Sequence, residues 1–363
     1  MPILSQFWNR IQGTLFPALE DCLGPLSDSE QKLVAILELA RIEEHLETAW
    51  GVLGRPEADR KALARAFVAK MVYNLGTTRQ LRERLRSSPN LRRLCGWERA
   101  NELPSEATFS RAFHEFAESE LPQRVHADLL AKHQRPRLVG HLSRDATDIP
   151  AREKARSKQK RAQPKPKGKR GRPRRGETRP SKEPTRLQRQ AAGMSLEAMV
   201  AELPRACDYG TKRKHGGLYR WKGYKLHVDW ADGEIPVSAV LTSASLHDSQ
   251  VALPLGLLSA ARVTSLYDLA DAAYDAPEIW AQSRALGHVP IIDRNPRRGE
   301  KIAFDPATQR RFAERSTAER GFSLFKENFG GRQVRVRGAA KVMAHLMFGL
   351  LALTAERLLN LLC

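Results

Sequence analysis

The chain has 363 residues, enough for one large or two ordinary domains with a real core. Its formal charge of +20 and pI near 10.2 point to a polyanionic partner, most often nucleic acid. Cys22, Cys95, Cys207 and Cys363 are too far apart for a zinc pair or a disulfide scaffold and suit a reducing cytosol. No secretory signal is visible at the start. The most apolar run, Leu346 to Ala355, is shorter than the roughly 20 residues a membrane span needs. A cytoplasmic, nucleoid-associated protein without membrane contact is expected.

Residues 1–135 read as all-helical. Ser27 and Glu30 form a capping box before a helix whose Leu33, Ile36, Leu37 and Ala40 follow the helical period. Further helices are expected over 55–75, over 77–88 and over 103–119, the last opened by Pro104 and Ser105 and carrying Arg111. Short helices with arginines on open faces suit a helix-turn-helix-like DNA reader. A helical packing or dimerisation unit has the same pattern.

Residues 137–149 read as a strand that opens a second domain, 136–363. The composition then shifts: from Ala151 to Gln190 there are 17 Lys or Arg against 3 Glu, a net +14, with five prolines. Such a stretch cannot build a core and is expected to be a flexible basic loop. Lys169, Arg170, Arg172, Arg174 and Arg175 are its candidate DNA contacts. Arg170-Gly171-Arg172-Pro173 resembles an AT-hook core, which lies in a narrow minor groove; plain phosphate attraction explains the same residues.

Beyond the loop, a short helix is expected at 195–203. Two strands joined at Asp232-Gly233 follow, then a helix from about His247, a strand at 263–270, a helix at 277–286, a strand at 288–293, one long helix over 311–328 and a last helix at 338–362. Three strands followed by alternating helix and strand give an α/β fold, a mixed five-stranded sheet flanked by helices.

Three aspartates crowd the end of the strand at 263–270: Asp268, Asp271 and Asp275. A carboxylate there must be paired, hydrated or bound to a cation. If the first strand lies beside this one, Asp145 comes near Asp271. Asp148 is its rival, but three residues along a strand turns the side chain to the opposite face. On the long helix, Glu319 lies roughly 40° from Arg315 and Lys326 roughly 20° on the other side, so the three share a face. By itself that is a solvated salt-bridge stripe. Three hard carboxylates without a Cys or His cluster suit Mg²⁺, with Mn²⁺ as substitute, and Arg315 and Lys326 could then sit beside a phosphodiester.

"DAT" at 145, "ADAAYD" around 271 and "RSTAERGFSLFK" resemble the DDE signature of bacterial insertion-sequence transposases of the insertion-sequence-4/5 type. "GYKLHVD", "LHDS" at 246–249 and "VRGAAKVMAHLMFGLLAL" are similar to that family as well. Its third-carboxylate motif is Tyr-x2-Arg-x3-Glu-x6-Lys. Arg315, Glu319 and Lys326 keep this spacing, and Phe312 stands in the tyrosine's place. The resemblance covers about 137–363. It implies a ribonuclease H-like catalytic domain, with Asp145, Asp271 and Glu319 as catalytic metal ligands and Arg315 and Lys326 as phosphate-binding auxiliaries. Its implied partners are double-stranded DNA, as terminal inverted repeats and as target, and a second copy of the chain in a synaptic complex. Asp268 is expected to act through hydrogen bonds, Asp275 to cap the following helix, and His247 and Asp248 to cap theirs. A nuclease without strand transfer, or a catalytically silent DNA-binding derivative, shares these features. RNA-binding platforms are missing.

Overall fold

The computed structural model describes residues 23–46, 58–156, 183–214, 217–296, 300 and 302–362. Helices α1 (Asp28–Ala40), α2 (Arg60–Val72), α3 (Thr78–Ser87), α4 (Pro89–Cys95), α5 (Glu106–Glu118) and α6 (Leu121–His133) form the amino-terminal region. The expected box at α1 is present: the Ser27 N–H donates to Glu30 Oε2 at 2.9 Å. Helices α4 and α6 were not anticipated. Each is entered at a proline in its first turn, where the missing N–H costs nothing.

The sheet follows, with helices on both faces. Its strands are β1 (Leu138–Pro150), β2 (Asp208–Lys214), β3 (Gly217–Ala231), β4 (Ile235–Ser243), β5 (Thr264–Ala270) and β6 (Val289–Ile292). Among the described residues that makes six strands where five were expected. The sixth is β2, whose "DYGTKRK" has too few apolar residues to show a strand period; it is held by pairing with the first half of β3. β1 lies between β3 and β5. It is antiparallel to β3 and parallel to β5, and β4 is antiparallel to β3. Strands β1, β4 and β5 therefore run the same way and end at the same side of the sheet.

Two short helices, α7 (Arg186–Ala191) and α8 (Leu196–Ala201), precede β2. α7 corrects the extent of the expected basic loop, because Leu187 and Gln190 are buried there. Lys169, Arg170, Arg172, Arg174 and Arg175 lie outside the described residues. α9 (Ala252–Ala260) follows β4, and α10 (Pro277–Ala285) joins β5 to β6. The single helix expected over 311–328 is two, α11 (Pro306–Ala313) and α12 (Ser316–Asn328). The last is α13 (Ala339–Leu362).

Alternation along β3 fixes which helix covers which face. Asp229 meets Ser259 of α9, and the next residue, Trp230, meets α12. There the Trp230 ring lies against Gly321, where a Cβ would stand only 2.4 Å away, so α12 can approach the sheet this closely only with glycine at that position. Phe322 packs edge-on to the same ring.

One hydrophobic cluster joins the amino-terminal helices to the sheet. Phe348 of α13 lies 5.8 Å from Phe67 of α2 and 6.1 Å from Phe113 of α5. His126 of α6 bonds through Nε2 to the Pro236 carbonyl of β4 at 3.0 Å and to Thr354 Oγ1 of α13 at 3.1 Å. Burial, with the nearby Arg262 charge, pushes this imidazole down to about 3, so it is neutral. By length and composition α13 could cross a membrane, yet most of it is buried inside this core.

Candidate active site

Asp145 and Asp271 come together because β1 and β5 are parallel neighbours. The last paired residues are Arg144 and Ala270, which puts Asp145 and Asp271 side by side at the carboxyl end of β5, while β1 runs on to Pro150. Open α/β sheets bind ligands at that edge. Asp271 accepts from the Ala273 N–H at 3.0 Å and opens the 3₁₀ turn Ala272–Tyr274. Asp145 accepts from the Ala146 N–H at 2.7 Å.

Burial, reinforced by the Asp271 and Asp248 charges, pushes Asp145 up to about 7; the Ala146 N–H and Arg315 moderate the rise. Asp271 is raised by burial and by Asp248. Two carboxylates that resist ionising side by side form a place where a cation is favourable.

Asp248 completes the edge and was not anticipated there. It follows β4, the third strand ending at this side, and opens a 3₁₀ turn, Asp248–Val251. Lys225 of β3 reaches it at 2.9 Å, and His227 stands 3.9 Å away. The sequence signal was "LHDS", read instead as a cap. Neither His247 nor Asp248 caps by side chain: His247 bonds Ser249 Oγ at 2.9 Å, and the turn has no side-chain cap. Tyr274 is buried beside the same carboxylates, its hydroxyl without a hydrogen-bond partner among the described residues and raised well above its ordinary value by burial and these charges.

Arg315 faces the aspartates from the helical side. The helices α11 and α12 break at Glu314–Arg315, and the Ser143 hydroxyl of β1 takes up the Glu314 carbonyl at 3.2 Å. Ser143 and Asp145 are two apart on β1 and share a face. The break thus docks the start of α12 beside Asp145, and the Arg315 charge opposes the rise of both aspartates.

Glu319 is not with them. It is exposed and held by Arg315, Nη2 to Oε1 at 2.7 Å. Among the described residues, no three Asp, Glu, His or Cys side chains lie close enough together to hold a metal ion. Lys326 points to the rival aspartate: it lies 3.6 Å from Asp148, which also receives Lys212. Burial lowers Lys326 despite that partner. Phe312, in the tyrosine's place, packs on Phe304 at 5.0 Å and faces the Arg315 guanidinium at 6.0 Å.

The other two aspartates of "YDLADAAYD" are occupied. Asp268 accepts from Ser283 Oγ at 2.6 Å and from His288 Nδ1 at 3.1 Å. Burial alone would raise it, but these bonds and Arg144 hold it below the usual carboxylate range. Asp275 is not the expected helix cap, since α10 begins after Ala276 without a side-chain cap. It accepts instead from the Trp280 indole at 3.0 Å, the Asn295 N–H at 3.1 Å and Arg294 at 3.3 Å.

A paired-carboxylate edge on a sheet of this order is what a metal-dependent phosphoryl-transfer enzyme presents. Residues 193–355 match the family model described as "Transposase DDE domain", and residues 19–115 match "Transposase domain (DUF772)".

The chain is an insertion-sequence DDE transposase.

The DDE match carries with it the ribonuclease H-like fold, and the order β4-β3-β1-β5-β6 is its core, with β2 added beside β3. The match includes Asp248, Asp271, Glu319 and Lys326, while β1 with Asp145 lies before it. No curated protein matches the transposase. Transposases of this family use divalent metal ions. The oxygen-only pair Asp145 and Asp271 fits a hard ion, which takes one or two carboxylates and leaves other positions to water and phosphate.

Proposed function

We propose that this transposase, of the insertion-sequence-4/5 type, binds the terminal inverted repeats of its element and carries out metal-dependent strand cleavage and transfer into target DNA. The observation that carries the reading is that Asp145 of β1 comes beside Asp271 where the parallel strand β5 ends, with Arg315 facing both. Asp145, Asp271 and Glu319 are the residues proposed to hold Mg²⁺, with Mn²⁺ as substitute. When bound, the ion activates the attacking oxygen and stabilises the leaving one.

The chain's own groups do the rest. Asp145 and Asp271 gather positive charge where a phosphate must approach. Arg315 can offer a guanidinium fork to a phosphate oxygen, which an ammonium cannot. Engaging a phosphate in this way frees Glu319 from its present partner. Lys326 supplies a second cation on the same helix. The transposase works in the cytoplasm on the nucleoid, as a dimer when two ends are paired, with residues 1–135 choosing the ends and 136–363 cutting.

The test is cleavage of a duplex carrying the element's end by the full chain with Mg²⁺, scored for both nicked and strand-transfer products. Nicking without transfer in every condition would leave a nuclease. No metal-dependent cutting would leave a silent DNA-binding derivative.

Arg315→Gln is expected to weaken strand transfer by roughly a hundredfold while the carboxylates still bind Mn²⁺. Loss of Mn²⁺ binding with normal DNA engagement would reverse that role.

Metal binding should be pH-linked. Asp145 titrates near 7 in the folded chain and must lose its proton to become a ligand. Mn²⁺ affinity should therefore rise by roughly tenfold per pH unit below about 7 and level off above it. The same shift makes folding stability fall as pH rises from about 4 to 7, because the folded state holds this proton more tightly than the unfolded chain. Calorimetric titration across this range measures the first effect, and a flat profile would remove Asp145 from the ligand set.

Changing Lys169, Arg170, Arg172, Arg174 and Arg175 to Gln should lower DNA affinity and flatten its salt dependence, since each phosphate contact adds about 0.9 to the slope of log affinity against log salt. An unchanged slope in a salt series would rule out this role.

A further inference from the structure

The first half of β3 leaves the sheet. β1 pairs with β3 only from Gly223 onward and β4 only from Tyr224, so the segment before them pairs with β2 alone. This is a two-stranded ribbon projecting from the end of the sheet, and such a ribbon is marginal in water without extra contacts.

One face supplies them. Trp221 lies against Gly210, where a Cβ would stand 2.4 Å from the ring, and donates its indole N–H to the Tyr224 carbonyl at 3.0 Å. Tyr219 stacks on Trp221 at 5.9 Å, and Lys212 covers both rings while also reaching Asp148.

The opposite face has no such closure. Pairing of Tyr209 with Lys222, Thr211 with Arg220 and Arg213 with Leu218 puts all six side chains on it. The Arg220 guanidinium lies 4.4 Å over the Tyr209 ring. Leu218 is 73% exposed and Tyr209 46%. Among the described residues, no carboxylate pairs with Arg213, Arg220 or Lys222. A bare strip of cations interleaved with an exposed aromatic is complementary to a polyanion with flat groups.

We infer that this face of the β2–β3 ribbon is a docking surface for duplex DNA running out of the active site. The location favours that partner. Lys212 ties the ribbon to Asp148, three residues along β1 from Asp145, a distance of roughly 10 Å in a strand. A duplex whose scissile phosphate meets Asp145 and Asp271 has to continue past this point on one side. A two-stranded ribbon also has the width to enter a major groove. The inference rests on the proposed DNA-cutting function and adds a surface to it.

The test is the full chain carrying Arg213→Gln, Arg220→Gln and Lys222→Gln together, with Arg213→Glu alone as a milder second variant. Binding to a duplex with the element's end and to an unrelated duplex is followed by fluorescence anisotropy over a salt series. Affinity for both should fall by roughly tenfold or more, and the salt slope by about 2.7 if all three cations meet phosphates. Arg213→Glu should weaken both by several-fold. Thermal unfolding should be unchanged, because the changes lie on an open face. If the unmodified chain binds no DNA, the function itself is wrong. If it binds and both variants keep its affinity and slope, the ribbon inference alone is overturned. Unchanged DNA binding with altered self-association would also overturn it and give the face to protein contact.

Discussion

Asp271→Asn is expected to reduce DNA cleavage by roughly a thousandfold or more while leaving end binding in place. The change keeps the side chain's shape and its ability to accept from the Ala273 N–H, so the turn after β5 should survive. It removes one of the two charges that make the strand ends attractive to a cation. Asp145→Asn should act in the same way, and Glu319→Gln should follow if its carboxylate leaves Arg315 during the reaction. Asp275→Asn is the sparing control, since its partners are an indole, an arginine and a backbone N–H on the rim. Asp268→Asn is a different kind of control. It disturbs the buried bonds to Ser283 and His288, so its loss should show in unfolding before it shows in turnover per folded molecule. Cleavage at the original rate by Asp271→Asn, with loss in Asp268→Asn at equal folded fraction, would mean that the catalytic aspartate is Asp268.

The second large effect should come from Asp229→Ala. Arg144 and Asp229 form a doubly bonded ion pair, 2.8 Å at each contact, with side chains 7% and 0% exposed. Ser259 of α9 also donates to the aspartate at 2.7 Å. Burial disfavours a charged Arg144, and Asp229 overcomes it. Removing Asp229 strands a guanidinium inside the sheet, one residue from Asp145, at a cost of about 3–5 kcal/mol. Replacing both partners, as Arg144→Met with Asp229→Leu, should cost clearly less because no charge is left unpaired. Chemical denaturation of the original chain and the two variants measures this. If Asp229→Ala cost under about 1 kcal/mol, the pair would not be acting as a buried anchor.

Much of the frame was legible along the chain. The capping box at Ser27, the Asp232-Gly233 turn and the apolar run of the last helix are local signals, and each sits where its chemistry placed it. What local pattern could not show was contact. "DYGTKRK" has no apolar period and becomes a strand only because β3 offers it a partner. The break at Glu314–Arg315 has no proline or glycine to mark it; the Ser143 hydroxyl that holds it is 171 residues away. Asp248 reads as a helix start until β4 is seen to run in the same direction as β1, with β3 between them.

The sequence by itself determined the fold class, the family and which carboxylates were worth watching. Spacing such as Arg-x3-Glu-x6-Lys and strand-end aspartates is written in residue order. Tertiary structure alone decided which charges meet. Parallel pairing set Asp145 beside Asp271, the run of β4 brought Asp248 to the same edge, and Lys326 went to Asp148. Electrostatic energy depends on separation and burial in space. Neither is fixed until strands from distant parts of the chain lie side by side.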